Sequence, residues 1–381
     1  MGGGIGGLAA AAALARRGVA VTLLEQADRF REVGAGLQIS PNGLAVLRAL
    51  GAEPLLRNKG AVRAQNVMLR NGETGAQVAR LPLARLRPEQ AYYFLHRVDL
   101  IDVLFGVAKR ANVTFELGGQ VASIRPGPVP QVQMADGSTR RAELVVAADG
   151  IHSVARPVLN GPDKAAFSGQ VAWRALVPNT VDHPDEAHVH MGAGCHLVSY
   201  PLRDGRLVNL VAVQEREAWA AEGWSQPDDA AHLRAAFETF GGMAGEMIAS
   251  VEDVTLWGLH LHPVAGQWHG PGVALLGDAA HPTLPFLAQG ANMALEDAWV
   301  LADCVTSGGL EALPAYQSRR FDRAWRVIKT AEQNAWRYHL SPGPMRTAAH
   351  LGLRLASKVA PGRMLAAFDW LYGHDVTAKK V

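Results

Sequence analysis

The chain has 381 residues, 49% hydrophobic and 19% charged, which is long enough for two cored domains and too apolar for disorder. Its 37 basic and 35 acidic residues leave a net charge of +2, too weak a field to argue for nucleic acid or a membrane surface as partner. No apolar run reaches the roughly 18 residues of a membrane span, no signal peptide follows Met1, and Cys195 and Cys304 lie far apart, so a cytoplasmic protein with free thiols is expected.

Gly2, Gly4 and Gly7 fit G-x-G-x-x-G, an alanine-rich helix follows as far as Arg16-Arg17-Gly18, and residues 19–24 read as a buried strand ending in Glu25. This is a dinucleotide-binding layout, in which glycines admit a diphosphate to a helix N-terminus and an acidic residue meets a ribose hydroxyl. Such a motif should follow a strand in the middle of a parallel sheet, yet only Met1 precedes it. An open slot with unpaired backbone groups is therefore expected. Either the natural chain starts further upstream, the preferred reading, or another segment fills the slot.

Residues 31–40 (REVGAGLQIS) form a glycine-bearing loop before a helix that Pro41 opens. Residues 62–83 alternate as a hairpin, expected in a second domain, and 94–97 (FLHR) lead into a helix over 98–110. Arg97 reads as a surface residue or, because a cation is disfavoured at a helix N-terminus, as a functional one. Short strands at 113–117 and 120–124, a hairpin around Asp136-Gly137, and a buried strand at 144–148 follow, the last ending in Asp149-Gly150.

Beyond residue 165 the pattern becomes short alternating strands at 170–177, 187–191, 196–201, 207–213 and 254–260, with one helix over 228–240. An antiparallel sheet with one covered face fits. His196 and Tyr200 are four apart, so in a strand both side chains leave the same face. Read alone, His196 is also consistent with a satisfied sheet histidine. The 14 histidines show no metal-ligand spacing, so no metal is expected.

A buried strand at 273–276 runs into GDAAHPTLPFLAQGANMALEDA (277–298). Asp278 can accept from hydroxyls, the prolines keep the next segment extended, and a helix begins near Ala291 with its N-terminus facing back. An anionic ring with a polyhydroxyl tail suits that geometry, and reduced flavin with its ribityl chain is one. Glu296 and Asp297 read as acids of the first helical turn, favoured there by the dipole. Residues 316–338 form an arginine-rich amphipathic helix, an outer or a dimer face, and helices over 345–359 and 364–371 finish the chain.

The 277–298 stretch resembles the second FAD-binding motif of single-component FAD-dependent aromatic hydroxylases. Its LAQGA segment is similar to the salicylate hydroxylase and 3-hydroxybenzoate 6-hydroxylase branch. With the glycine motif, His96-Arg97, Asp149-Gly150 and the His196-x-x-x-Tyr200 pair, the resemblance covers nearly the whole chain. It implies an α/β fold like that of p-hydroxybenzoate hydroxylase. A discontinuous Rossmann-like FAD-binding domain with a parallel sheet would span 1–61, 96–165 and 264–335. An antiparallel-sheet substrate domain would span 62–95 and 166–263, and C-terminal helices 336–381.

The resemblance further implies FAD contacts at Gly2, Gly4, Gly7, Glu25, Gln38, Arg97, Val121, Asp149, Gly150, Gly277, Asp278, Pro285, Gly290 and Asn292. His196 would be the base, with Tyr200 and Gln289 orienting the substrate. The implied reaction uses NADH or NADPH and O2 to hydroxylate a phenolic aromatic acid through a C4a-hydroperoxyflavin, in a monomer or homodimer. Trp173-Arg174 is similar to a family segment without an assigned role, and no arginine stands out as a carboxylate clamp. Two other readings stay open: a reductase or oxidase of the same fold, and a degenerate, non-catalytic protein lacking the first strand.

Overall fold

The computed structural model describes residues 1–29, 35–218 and 225–378. Residues 31–34 of the glycine-bearing loop lie outside the described part. The helix Ile5–Ala15 is buried along almost its whole length, because alanines let it pack closely against the helices Gly290–Gly308 and Arg97–Arg110. A Cβ on Gly6 would lie 2.5 Å from Leu276 Cδ2, so this packing leaves no room for a side chain there.

The parallel sheet is in two pieces. Thr22–Glu25 pairs with Thr114–Leu117, and Val145–Ala147 pairs with Val273–Leu275, both in parallel. Met1 and Gly2 lie between the pieces. The Met1 ammonium donates to Val146 O (2.8 Å), Ala148 N donates to Met1 O (2.9 Å), and Gly2 N donates to Leu24 O (2.9 Å). Two residues thus bridge the slot at its C-terminal end, where the glycine loop begins. Burial lowers the Met1 ammonium below its usual pKa, against the opposing pull of Asp149 and Glu25.

A larger, eight-stranded sheet runs in the order Ser225–Asp228, Val254–Leu261, Ala166–Pro178, Leu207–Glu215, Cys195–Leu202, Glu186–Gly192, Asn66–Asn71 and Gln77–Leu81. All neighbours are antiparallel except Glu186–Gly192 against Asn66–Asn71. The two ends of the 62–95 segment behave differently from its hairpin: Val62–Arg63 and Tyr93–His96 pair in a small sheet with Gly36–Ile39. One face of the large sheet is closed by Ala230–Ala236 and Gly242–Ala249, which bury Trp173, Leu197, Leu210, Phe237 and Met247. The sequence suggested one helix over 228–240. The structure has an edge strand, a shorter helix capped by Asp229, and a second glycine-bearing helix whose two turns carry too little periodicity to read. The opposite face of this sheet is the floor of a deep cleft.

Glu186–Gly192 is buried on both sides. Ala187, Val189 and Met191 face the cleft, while His188 and His190 enter a buried cluster with His183. His183 Nε2 meets Ser199 Oγ (2.9 Å) and His188 Nε2 meets Glu186 Oε2 (2.9 Å), but both ring nitrogens of His190 are buried without a hydrogen-bond partner among the described residues. Burial, reinforced by neighbouring histidines and Arg70, pushes His188 and His190 down to about 3. In the unfolded chain each takes up a proton near the ordinary value of about 6.5. The unfolded state therefore binds more protons between these values, so stability is full above about pH 6.5 and declines as pH falls toward 3. The His190→Leu variant is expected to lose less melting temperature between pH 7.5 and 5 than the parent. Equal losses in calorimetry would contradict this.

Candidate active site

The cleft holds about 1160 Å³ and lies between the large sheet and the C-terminal ends of the parallel strands. Its cofactor-sized end is built by glycines with separate duties. Gly2 has φ +94°, and a Cβ there would lie 2.3 Å from Ala148 O, so only glycine fits. A Cβ on Gly7 would lie 1.9 Å from Gly2 O, so that glycine lets the helix sit against the loop. Gly4 is different: a Cβ there would meet no protein atom within 4 Å. It caps the Ile5–Ala15 helix and opens onto the cleft, and Leu8 N is the first amide to find a helical carbonyl, Gly4 O. Unfilled space before unpaired helix amides suits a diphosphate.

The expected ribose partner, Glu25, lines the cleft, but its oxygens already hold the loop: Oε2 accepts from Gly3 N (2.6 Å) and Oε1 from Ala27 N (2.9 Å). Each retains acceptor capacity. Val121 lines the cleft beside Gly119 and Gln120. Asp149 accepts from Val154 N through Oδ2 (2.9 Å), while its Oδ1 is buried with no partner among the described residues, and Gly150 (φ +74°) turns the chain away.

Asp278 follows Gly277 (φ +63°), is exposed and lines the cleft. The surrounding protein raises its carboxyl above the usual range, with His281 and Arg97 opposing and Asp297 adding to the rise. Arg97 lines the same wall. A loop over 282–291 covers the cleft, with Pro285 and Phe286 above its floor and Ala288 held at φ +51°. Gly290 and Ala291 begin the next helix at the wall. The amides of 290–292 precede the first helical acceptor bond, Met293 N to Gln289 O (2.8 Å).

Two residues of this wall are held by hydrogen bonds from behind it. Gln289 lines the cleft, but its amide is engaged in a buried network: Nε2 donates to Ser40 Oγ (2.9 Å) and Oε1 accepts from Asn42 Nδ2 (3.0 Å). It braces the loop, and its Oε1 retains acceptor capacity toward the cleft it lines. Asn292 is fully buried, and its side chain fastens Ser40 N, Gln38 O and Ala288 O. What it can offer a ligand is its backbone amide. Glu296 and Asp297, expected as first-turn acids, lie beyond the first turn of Gly290–Gly308 as fully buried ions paired with Arg320, Arg323 and His281.

At the floor, His196, Val198 and Tyr200 all face the cleft, while Cys195, Leu197 and Ser199 face away, as the period of two requires. Both aromatic side chains are buried. His196 Nδ1 meets His339 Nε2 (2.6 Å); among the described residues its Nε2 makes no hydrogen bond, and the ring lines the cleft. Burial, and then His339, lowers the imidazole well below its usual pKa. The Phe286 ring stands 5.9 Å away. Burial pushes the Tyr200 phenol up, against Arg174 and Gln38. Gln38 lines the same end, its Oε1 accepting from Tyr92 Oη (2.8 Å).

Arg174 is the residue that sequence reading passed over. It pairs through Val211 with Val198, so it occupies the row between His196 and Tyr200, two strands away, or about 10 Å at the usual spacing. Its guanidinium lies over the Trp257 ring (5.2 Å) and lines the cleft. Trp173 packs on the covered face, and strict alternation alone would have put Arg174 on the other one.

Comparison with known proteins agrees with this geometry. Residues 1–331 match the model of an FAD binding domain family. A 3-amino-4-hydroxybenzoate 2-monooxygenase of Streptomyces platensis is 35% identical over 98% of this chain and 95% of its own. A 3-hydroxybenzoate 6-hydroxylase of Polaromonas naphthalenivorans is 33% identical over the same shares. Among solved structures, a salicylate hydroxylase substrate complex superposes with a TM-score of 0.81 at 25% identity, covering 98% of this chain and 94% of that one. The chain belongs to the FAD-binding-domain family of flavoprotein monooxygenases, among relatives that are aromatic hydroxylases.

Proposed function

We propose that the protein hydroxylates a phenolic aromatic acid of the hydroxybenzoate class, using NADH or NADPH and O2. The observation that carries this reading is the His196 imidazole on the cleft floor, facing the loop that covers the flavin-sized end. The cradle fits FAD on its own terms. Gly4 leaves space that no protein atom fills, the Asp149 Oδ1 lacks a donor among the described residues, and Asp278 faces the cleft. Gly2, Gly4 and Gly7 would hold the diphosphate, Glu25 the adenosine ribose and Val121 the adenine end. Gln38, Arg97, Asp149, Gly150, Gly277 and Asp278 would hold the rest of the cofactor, and Pro285, Gly290 and the Asn292 amide would border its ring.

FAD, when bound, would supply the redox and oxygen-transfer chemistry. The protein makes the ring electron-rich. His196 Nε2 takes the phenolic proton, because a phenolate is the better nucleophile and imidazole is the base suited to near-neutral pH. Tyr200 orients the ring, and Arg174 supplies the cation for the acid group, since a guanidinium matches a carboxylate bidentately. The 282–291 loop excludes water.

Two variants test this. His196→Ala should keep FAD bound, lower hydroxylation by about 100-fold or more, and divert NADH oxidation to hydrogen peroxide; full coupling would contradict the base assignment. Gly4→Val should leave the flavin-free melting temperature unchanged but weaken FAD binding at least about tenfold, or about 1.4 kcal/mol. Parental affinity in a flavin titration would remove the diphosphate from this loop.

A further inference from the structure

We infer that His196, His339 and Glu215 form a proton path that carries the substrate's phenolic proton from the cleft to the surface. The inference rests on the reading of His196 as the base and adds where the proton goes. His196 Nδ1 meets His339 Nε2 at 2.6 Å, and His339 Nδ1 meets Glu215 Oε1 at 2.7 Å. Both imidazoles are buried, whereas the Glu215 side chain is 51% exposed. The three groups come from different segments: the Cys195–Leu202 strand, the end of Leu207–Glu215, and the chain just after the Ala335–Tyr338 turn. Gly194 joins them, donating to His339 O (3.1 Å) and accepting from Glu215 N (2.9 Å).

The order of the groups fixes the tautomers. An ionised carboxylate only accepts, so His339 must carry its proton on Nδ1. Its Nε2 is then a bare acceptor, so His196 must donate from Nδ1. The Nε2 of His196 is therefore left as a lone pair, which is the form a base needs. Glu215 thus sets the state of an atom two rings away.

The surroundings leave the proton no other place. Burial, and then His339, disfavours a charged His196. Burial also lowers His339, against the pull of Glu215. The Tyr338 ring lies 5.3 Å from His196, its phenol raised by burial with Arg337 opposing. The Cys195 thiol is pushed up to about 11 by burial, Glu215 and Glu73. The Tyr338 phenol and the Cys195 thiol, which keep their own protons, accept none near neutrality. In one transfer the substrate O–H breaks and a His196 Nε2–H forms. The His196 Nδ1–H passes to His339 Nε2, and the His339 Nδ1–H passes to Glu215 Oε1 and on to water. No ring ends charged, and running the steps backward to the product oxygen restores both tautomers.

The test is stopped-flow absorbance of phenolate formation when 3-hydroxybenzoate or salicylate binds to the FAD-reconstituted protein without oxygen, from pH 6 to 9. The parent is compared with His339→Gln, Glu215→Gln and His196→Ala. The path predicts that His339→Gln slows phenolate formation at least tenfold, makes it depend on buffer concentration, and leaves the substrate Kd near the parental value. Glu215→Gln should move the pH profile toward alkali. If His339→Gln fails to retain FAD, Glu215→Gln decides, because that side chain is at the surface. Parental rates and profiles in both, with no phenolate in His196→Ala, would overturn the path and leave the base. Parental phenolate formation in His196→Ala would overturn the base and the path together.

Discussion

Arg320 stands fully buried between two fully buried acids, Glu296 and Asp297, and much of the cleft depends on that arrangement. Burial alone would raise the Asp297 carboxyl, yet His281 and Arg320 hold it down to about 2. From this ion cluster, bonds run outward to the parts that shape the site. Asp297 accepts from Gly277 N beside Asp278 (3.1 Å) and from His281. Glu296 accepts from Asn42, which in turn holds Gln289. Arg323 bridges Glu296 to the Trp370 and Leu371 carbonyls near the C-terminus. Removing one partner of a buried ion cluster leaves uncompensated charge and typically costs about 3–5 kcal/mol. The cluster therefore acts as a fixed hub for the Gly277-Asp278 turn, the covering loop and the C-terminal helices.

Around that hub the two layers of the molecule divide the chemistry. The parallel strands end in glycine turns and helix N-termini, which suit a charged, extended cofactor. The large sheet offers a floor of alternating side chains, where one face carries His196, Tyr200 and Arg174 and the other is closed by two helices. The alternation makes the pocket polar at chosen points only. Between Arg174 and His196 the floor is Val198, Val211 and Val213, a hydrocarbon patch with an imidazole on one side and a guanidinium on the other.

Much of this could be read in the sequence, and the reasons differ by region. The glycine motif, Asp149-Gly150 and Gly277-Asp278 were legible because each contains a glycine that answers a local backbone need, the positive φ of Gly2, Gly150 and Gly277. The shared face of His196 and Tyr200 followed from strand periodicity. What stayed hidden depends on long-range packing. Glu296 and Asp297 look like helix acids until Arg320 and Arg323 turn inward from a helix that reads as an outer face. Gln289 looks like a free pocket amide until Ser40 and Asn42 arrive from some 250 residues away. His339 carries no local signal, since only the folded chain brings it to His196. The divided parallel sheet matches the expected slot, but the bridging of its end by Met1 and Gly2 needed coordinates to see.

Everything above turns on whether this cleft couples a phenolic acid to flavin chemistry. The most direct measurement is NADH oxidation by FAD-reconstituted protein across a panel of hydroxybenzoates and hydroxypyridines, with products identified by mass. The account predicts that at least one phenolic acid accelerates oxidation and gains one oxygen atom. Flavin-bound protein that oxidises NADH no faster with any of them, and forms no hydroxylated product, would contradict it.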